Sequence, residues 1–150
     1  MAGKDYGLYA VVGIYDKDPD IPTPTSHYTL EIERFGIRKG QELSSDEMYT
    51  KGIGTMGAIF KAMKRPSPMS IVWAPSSGQK MLFTDLKKRK LQIEISFVRS
   101  GNRTTNPNVV DLMTMDNVRV RSVAPELVKA NGSGMQKMER IDAVFTKFEF

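Results

Sequence analysis

The sequence has no cysteine and only one histidine among its 150 residues. Without cysteine the chain can form no disulfide bond, no thiolate metal site and no cysteine nucleophile. It also has no apolar run near the about 20 residues that a membrane-spanning helix requires. The start of the chain, Met1–Tyr6, shows no apolar core behind a basic end. We therefore expect synthesis in the cytosol, and secretion without a cleaved signal peptide if the protein is exported.

No residue pattern in the chain assembles a nucleophile, a base and an orienting group. His27 follows a proline-rich segment and has no partner at zinc-ligand spacing. Asp16–Asp20 resembles the start of a calcium loop, but the glycine at the sixth position is missing and His27 stands where a bidentate glutamate belongs. We predict that the protein is not an enzyme and has no catalytic, metal-binding or cofactor-binding residues.

Two glycine-marked segments resemble functional motifs only weakly. Gly52–Gly57 has the spacing G-x-G-x-x-G, but no convincing strand precedes it, and we interpret it as a mobile glycine loop. Ser76–Gly78 lacks the flanking glycines of a nucleophile elbow. A catalytic site formed between subunits stays open as an alternative. The carboxylates that could meet across such an interface are Glu31 with Glu33, or Asp111 with Asp116.

Positive charge exceeds negative charge by 5, and part of this excess is concentrated in Lys61–Arg65 and Lys87–Lys90. A short basic run beside a strand usually lies in a solvated loop or protects a sheet edge from aggregation, which is our interpretation here. The alternative is a small basic barrel that binds single-stranded nucleic acid and stacks aromatic rings on bases. Against this alternative, the aromatic residues lie mostly in the terminal strands.

Alternation of apolar and polar residues predicts a mainly β protein, and we assign residues 1–150 to one domain. The first predicted strand is apolar on both faces, whereas the second is apolar on one face only. Six or seven strands with one short helix indicate a barrel or a sandwich. The predicted strands are Tyr6–Tyr15, His27–Ile37, Leu91–Phe97, Val109–Met115, Val118–Val123 and Arg140–Phe150.

Two parts of this assignment stay open on sequence pattern alone. The strands on either side of Asp116–Asn117 could be one strand with a bulge. Thr55–Pro75 has the strongest helix potential, which Pro66 and Pro68 interrupt. Pro68–Ala74 fits either a short helix or a buried strand. The residues at helical spacing are Met56, Ile59, Phe60 and Met63.

We interpret the polar segment Arg38–Gly54 as a long extended loop. Its glycines allow flexing, and its apolar residues exceed what a solvated loop needs. Fixing a residue costs about 1–2 kcal/mol of backbone entropy, so we predict that contact with a neighbouring subunit orders this loop. The predicted subunit contacts are Leu43, Met48, Tyr49 and Ile53 in the loop, and Phe148 and Phe150 at the end of the chain.

The surplus of apolar surface favours self-association as the function. Both terminal strands are apolar on two faces, and ten methionines add adaptable contact surface. A helix or a second sheet could cover these faces within one chain. The hypothesis that we adopt is packing between copies of the chain.

Several short motifs follow one another over most of the chain and together resemble the haemolysin-coregulated protein (Hcp) family, the tube subunit of type VI secretion systems. Thr29–Ile37 is similar to an acidic strand and glycine-marked loop of that family. The later motifs are Phe60-Lys61, Ser67-Pro68, Ser77-Gly78, Leu91–Ile93 with Arg99–Gly101, Val118–Val123 and Glu139–Phe150.

This resemblance implies a β-barrel of two packed antiparallel sheets with one short helix on its flank. Six copies would form a ring, and rings would stack into a hollow tube that carries effectors and is ejected into a target cell. The implied partners are the chain itself, a spike protein, a contractile sheath and effector cargo, with neither nucleic acid nor membrane insertion expected. The resemblance also favours a helix at Pro68–Ala74. A phage-type tail-tube protein is the alternative with the same kind of barrel.

Overall fold

A computed structural model gives the structure of the chain and describes residues 6–18, 20–51, 53–74, 82–99, 109–130 and 134–150. Within these ranges the chain forms nine strands and three helices. The strands are β1 (Tyr6–Tyr15), β2 (Pro24–Ile32), β3 (Arg34–Gly36), β4 (Leu43–Ser44), β5 (Ser67–Trp73), β6 (Leu91–Arg99), β7 (Val109–Ala130), β8 (Gly134–Phe145) and β9 (Lys147–Glu149). The helices are α1 (Ser45–Lys51), α2 (Ile53–Ala62) and α3 (Leu82–Asp85).

The strands pair antiparallel in the order β2-β1-β6-β7-β8-β5-β3-β4, and β9 pairs with β7. Only Glu33 separates β2 at one end of this order from β3 near the other end. The Glu33 N–H donates to the Val72 carbonyl of β5 at 2.9 Å, beside the β3–β5 ladder. The sheet therefore closes into a barrel of two packed antiparallel sheets, which confirms the predicted mainly β fold class.

Strand β7 is shared by both sheets. Val109–Val118 pairs with β6, whereas Arg119–Ala130 pairs with β8. The register with β6 shifts between Met115 and Val118, near the end of the first part, where Asn117 has a φ of 54°. Asparagine tolerates this left-handed conformation better than most residues. Of the two alternatives for this region, the single bulged strand is therefore correct.

Strand β5 corrects the helix that the family resemblance favoured at Pro68–Ala74. It lies between β3 and β8 and forms ladders with both. Ile71 and Val72 are completely buried, and their β-branched side chains suit a strand covered on both faces. A helix here would leave the backbone groups of two neighbouring strands without partners.

The helices differ from the single flanking helix that was expected. Helix α2 occupies part of the segment with helical spacing and ends before the cis Arg65-Pro66 bond. Since Ile53–Gly57 belong to α2, their interpretation as a mobile glycine loop is wrong. The extended loop at Arg38–Gly54 is also corrected, because it contains β4, α1 and the start of α2. No helix in the described part of the chain has the length and apolar character needed to cross a membrane.

The core lies between the two sheets and is closed by side chains from the helices. Leu8, Ala10 and Val12 point inward from β1, and Trp73 of β5 meets Phe83 of α3 edge to face at 5.6 Å. The outward residues Tyr9 and Val11 of β1 remain only half-buried. The first strand thus has one fully covered face, rather than the two that its composition predicted.

Candidate assembly surface

The segment after β3 returns to the barrel through β4 and a capped helix. Ser44 and Glu47 form a reciprocal capping box. The Glu47 N–H donates to Ser44 Oγ at 3.3 Å, and the Ser44 N–H donates to Glu47 Oε1 at 3.1 Å. Arg34 of β3 donates to the same carboxylate at 3.3 Å and to the Glu42 carbonyl at 2.8 Å. The start of α1 is therefore fixed by contacts within one chain.

A buried ion pair anchors the beginning of this segment to the barrel. Glu42 is only 3% exposed and contacts Arg140 of β8. Ser70 Oγ of β5 donates to Glu42 Oε2 at 2.8 Å and accepts from Arg140 Nη1 at 2.9 Å. The Gly40 N–H donates to Glu42 Oε1 at 2.9 Å. Burial of a carboxylate is tolerated here because both of its oxygens have donors.

Arg140 also contacts a second carboxylate, Glu126 of β7. Among the described residues, the Oε2 atom of Glu126 is buried without a hydrogen-bond partner. Burial lowers the pKa of the Arg140 guanidinium, while nearby Asp142 raises it and Arg34 lowers it. One guanidinium therefore joins the segment before α1 to both strands of the β7–β8 hairpin.

The six predicted contact residues lie in different surroundings. Met48 is 1% exposed, which corrects its prediction as a subunit contact because it packs in the core of its own chain. Leu43 and Phe148 are half-buried against that core. Tyr49 and Phe150 are 49% and 51% exposed. Ile53 begins α2, and its side chain lies outside the described residues.

The inner face of α2 is held by aromatic packing. Phe60 is completely buried, with ring centroids 5.4 Å from Phe35, 5.7 Å from Phe145 and 5.8 Å from Phe148. The Arg65 guanidinium lies 5.3 Å from the Phe145 ring and 5.5 Å from the Phe148 ring. Aromatic and cation–π contacts of this kind favour one orientation of the helix on the barrel.

The outer face of α2 carries almost no charge. Lys61 is the only ionisable residue of the helix, and Ile59 is 44% exposed. A helix face in water is normally rich in charged and polar side chains, whereas a helix that is apolar nearly all round is normally covered. We call the exposed residues of this face the α2 surface. They are Gly54, Thr55, Ala58, Ile59, Lys61 and Ala62.

Phe150 adds an exposed aromatic ring beside α2. A Cβ atom at Gly57 would lie 2.5 Å from this ring, so the absence of a side chain there permits the close approach. Phe150 is 51% exposed in a single chain. An aromatic side chain that remains half in water is a favourable anchor for an interface.

The residues considered for chemistry make local structural contacts or lie on the surface. Asp16 and Asp18 accept backbone N–H groups of their own loop at 3.0 Å, and His27 is exposed on β2. Asp116 accepts a hydrogen bond from the Tyr15 hydroxyl at 2.6 Å. Ser76–Gly78 and the Asp111 side chain lie outside the described residues. In the described part of the chain, no group of three or more His, Asp or Glu could hold a metal ion.

One of the anchors had a sequence signal that our reasoning missed. Ser44 and Glu47 have the S-x-x-E spacing of a capping box directly before the apolar Met48, which indicates the start of α1. The pairing of Glu42 with Arg140 has no such local signal. These two residues meet only because β5 and β8 are neighbours in the closed sheet.

The described residues define an antiparallel β-barrel with helices on its flank. No family model matches the chain, and the search of curated proteins finds no match either. Among solved structures, the chain is similar to the crystal structure of Hcp1 from Salmonella typhimurium. The two share 12% identity over 95% of this chain and 83% of that chain, with a TM-score of 0.47. This likeness concerns the fold alone.

Proposed function

We propose that this protein is a structural subunit that assembles with copies of itself into the inner tube of a contractile injection apparatus of the type VI secretion kind. The observation that supports self-assembly is the α2 surface. It is an exposed helix face, and Lys61 is the only charged residue of that helix. The order of short motifs along the chain supports the finer proposal of a tube.

In this proposal each α2 surface packs against a different region of the next copy. Such head-to-tail contacts close into a ring when the rotation between copies is correct. A stable interface usually buries about 1,600 Å² in total, so the contact would also include Tyr49, Phe150 and neighbouring strand surface. The apolar face of α2 would then be buried between subunits when the ring forms.

The role of the assembled protein would be mechanical. Six copies would form a ring, and stacked rings would enclose effectors and be ejected with a spike after contraction of a sheath. The protein would be made in the cytosol and leave through the apparatus, without a cleaved signal peptide. It needs no catalytic group, metal or cofactor for this role. A phage-type tail tube would use the same assembly with different partners.

Base stacking on single-stranded nucleic acid has less support as a second candidate. Tyr15 is the aromatic residue beside the basic run, with the Lys90 amine 4.3 Å from its ring centroid. The Tyr15 side chain has little access to solvent because the residue is 6% exposed. A base could not stack on this ring without displacing Lys90.

Native mass spectrometry and negative-stain microscopy of the purified protein at micromolar concentration test the proposal. We expect hexamers and stacked rings. Ile59→Glu should dissociate them, because it places a charge in the contact without disturbing the core. The matched control is Thr84→Glu, which adds the same charge at an exposed position of α3.

Three outcomes would count against the proposal at different levels. A strict monomer at all concentrations contradicts self-assembly. Rings that never stack contradict the tube but retain the subunit contact. If the Ile59→Glu variant assembles as well as the Thr84→Glu control, the α2 surface is not part of the interface.

A further inference from the structure

A positively charged cleft opens where β1 ends and β6 begins, and it has a volume of ≈ 350 Å³. Its cations come from three separate parts of the chain: the loop after β1, the turn before β6 and the middle of β7. The five cationic residues that line it are Lys17, Lys88, Arg89, Lys90 and Arg119.

Tyr15 holds the walls of this cleft together. Arg89 Nη2 donates to the Tyr15 carbonyl at 2.7 Å, and the Tyr15 N–H donates to the Lys90 carbonyl at 3.1 Å. The Tyr15 hydroxyl donates to Asp116 at 2.6 Å, and the Lys90 amine lies over the ring. Arg89 and Lys90 are therefore positioned before any ligand arrives, which reduces the entropy that binding costs.

The positive charge of the cleft is poorly neutralised by the protein. Asp16 is the only acidic residue that lines it, and its Oδ1 atom already accepts the Asp18 N–H at 3.0 Å. Among the described residues, no ion pair involves Lys17, Lys88 or Arg119. Clustering several like charges in one concave site costs free energy unless an anion occupies it.

We propose that this cleft binds a phosphate-bearing ligand of nucleotide size, an activity separate from self-assembly. Five cations against one carboxylate match the charge density of a phosphate chain better than that of a single carboxylate. Lysine ammonium groups and the Arg89 fork are both common phosphate donors. The cleft volume lies at the low end of the range for small-ligand sites, and exceeds what one inorganic phosphate requires.

Recognition in this cleft is directed at phosphate and not at a base. The Tyr15 ring is covered and offers no stacking surface, and the lining residues with free hydrogen-bond donors are cations. The same chemistry is present in a free nucleotide and in the backbone of a nucleic acid. Pyrophosphate therefore serves as the probe for the shared group.

Isothermal titration calorimetry of the full chain with pyrophosphate at low ionic strength tests the proposal. We expect saturable binding of one pyrophosphate per chain. The double variant Lys88→Gln/Arg119→Gln should weaken it at least about tenfold, because two charge-assisted contacts are lost. The matched control Lys39→Gln/Lys64→Gln removes the same charge at exposed positions outside the lining and should bind as the parent does.

Two further ligands separate the possible sources of phosphate. Tight binding of a thymidine oligonucleotide assigns the cleft to a nucleic acid backbone. In that case the slope of log K against log salt concentration should become shallower by about 0.7 for each cation removed. Binding of adenosine diphosphate without the oligonucleotide assigns it to a free nucleotide. Native mass spectrometry on the same samples shows that the variants keep the oligomeric state of the parent, so failure here is distinct from failure of self-assembly.

The proposal is overturned by any of three results. In the first, titration with pyrophosphate shows no saturable binding. In the second, the Lys88→Gln/Arg119→Gln variant binds pyrophosphate as tightly as the Lys39→Gln/Lys64→Gln control. In the third result, a hexaglutamate peptide binds as tightly as pyrophosphate, and the Lys88→Gln/Arg119→Gln variant weakens both equally. The cleft would then be a site for carboxylates. Thermal melts of each variant confirm that the compared proteins are folded.

Discussion

The segment 38–51 and helix α2 are neighbours along the chain, but opposite kinds of interaction hold them to the barrel. The first is positioned by the buried ion pair of Glu42 with Arg140. The second is positioned by Phe60, which packs against three other aromatic rings. A buried ion pair fixes geometry while contributing little net stability, whereas an aromatic cluster stabilises in proportion to the area that it buries. The two regions should therefore respond differently to loss of one member.

The largest effect is expected when the ion pair loses its cation. Arg140→Met leaves Glu42 buried without a counter-charge and should lower the free energy of unfolding by about 3–5 kcal/mol. Urea denaturation monitored by circular dichroism measures it. The double variant Glu42→Gln/Arg140→Met should recover most of this loss, because glutamine carries no charge. Its carbonyl oxygen can accept the Gly40 N–H, and its amide N–H can donate to the Ser70 hydroxyl that Arg140 no longer contacts. A single variant as stable as the double one would show that the pair is not effectively buried.

A smaller and graded loss is expected in the aromatic cluster. Phe60→Leu keeps an apolar side chain but removes the ring contacts, and should cost about 1–3 kcal/mol in the same denaturation experiment. The control is Ile59→Ala on the outer face of the helix, which should change the stability of a single chain by no more than about 0.5 kcal/mol. Equal costs at the two positions in dissociated protein would contradict the orientation of α2.

Loss of the helix cap should have a local effect. Ser44→Ala removes the oxygen that accepts the Glu47 N–H and should cost about 1 kcal/mol. Hydrogen exchange should show faster exchange at the Glu47 amide, with the amides of β5 unaffected. Ser44→Thr keeps the hydroxyl and should retain the protection. Similar exchange in the alanine and threonine variants would mean that the ion pair alone holds α1.

The smallest effect concerns Glu139, which lies next to Arg140 on β8 but lacks a cationic partner among the described residues. Burial raises the pKa of the Glu139 carboxyl, and the bond from Trp73 Nε1 at 3.3 Å partly opposes this. Because its pKa is higher in the folded than in the unfolded chain, the ionised group costs stability at pH 7, and that cost disappears as the pH falls through the raised pKa.

Glu139→Gln should therefore stabilise the protein at pH 7 by no more than about 0.5 kcal/mol, and the gain should vanish at acid pH. Melting temperatures of the parent and the variant at pH 7 and at pH 3.5 measure the difference. A variant that is less stable than the parent at pH 7 would show that the carboxylate has a compensating partner.

The sequence predicted strands where apolar and polar residues alternate, as in β6, or where β-branched and aromatic residues dominate, as in β1. β1 has the bounds that were expected from its pattern, Tyr6–Tyr15, and β6 begins at the expected Leu91. β5 was ambiguous because both of its faces are buried, so alternation is lost, and because Ser67-Pro68 imitates the start of a helix. The ion pairs of Arg140 with Glu42 and Glu126 could not be predicted from local sequence pattern, because only the closed sheet brings these residues together.

The shared strand β7 has a mechanical consequence. Its 22 residues, at about 3.3 Å each, have a contour length of about 70 Å, whereas a domain of 150 residues has a radius of gyration of about 15 Å. One continuous backbone is therefore bonded to β6 along one part and to β8 along the other. A pull along this strand loads the hydrogen bonds of both sheets in shear at the same time. We therefore expect the two sheets to resist separation together, because the β7 backbone joins them.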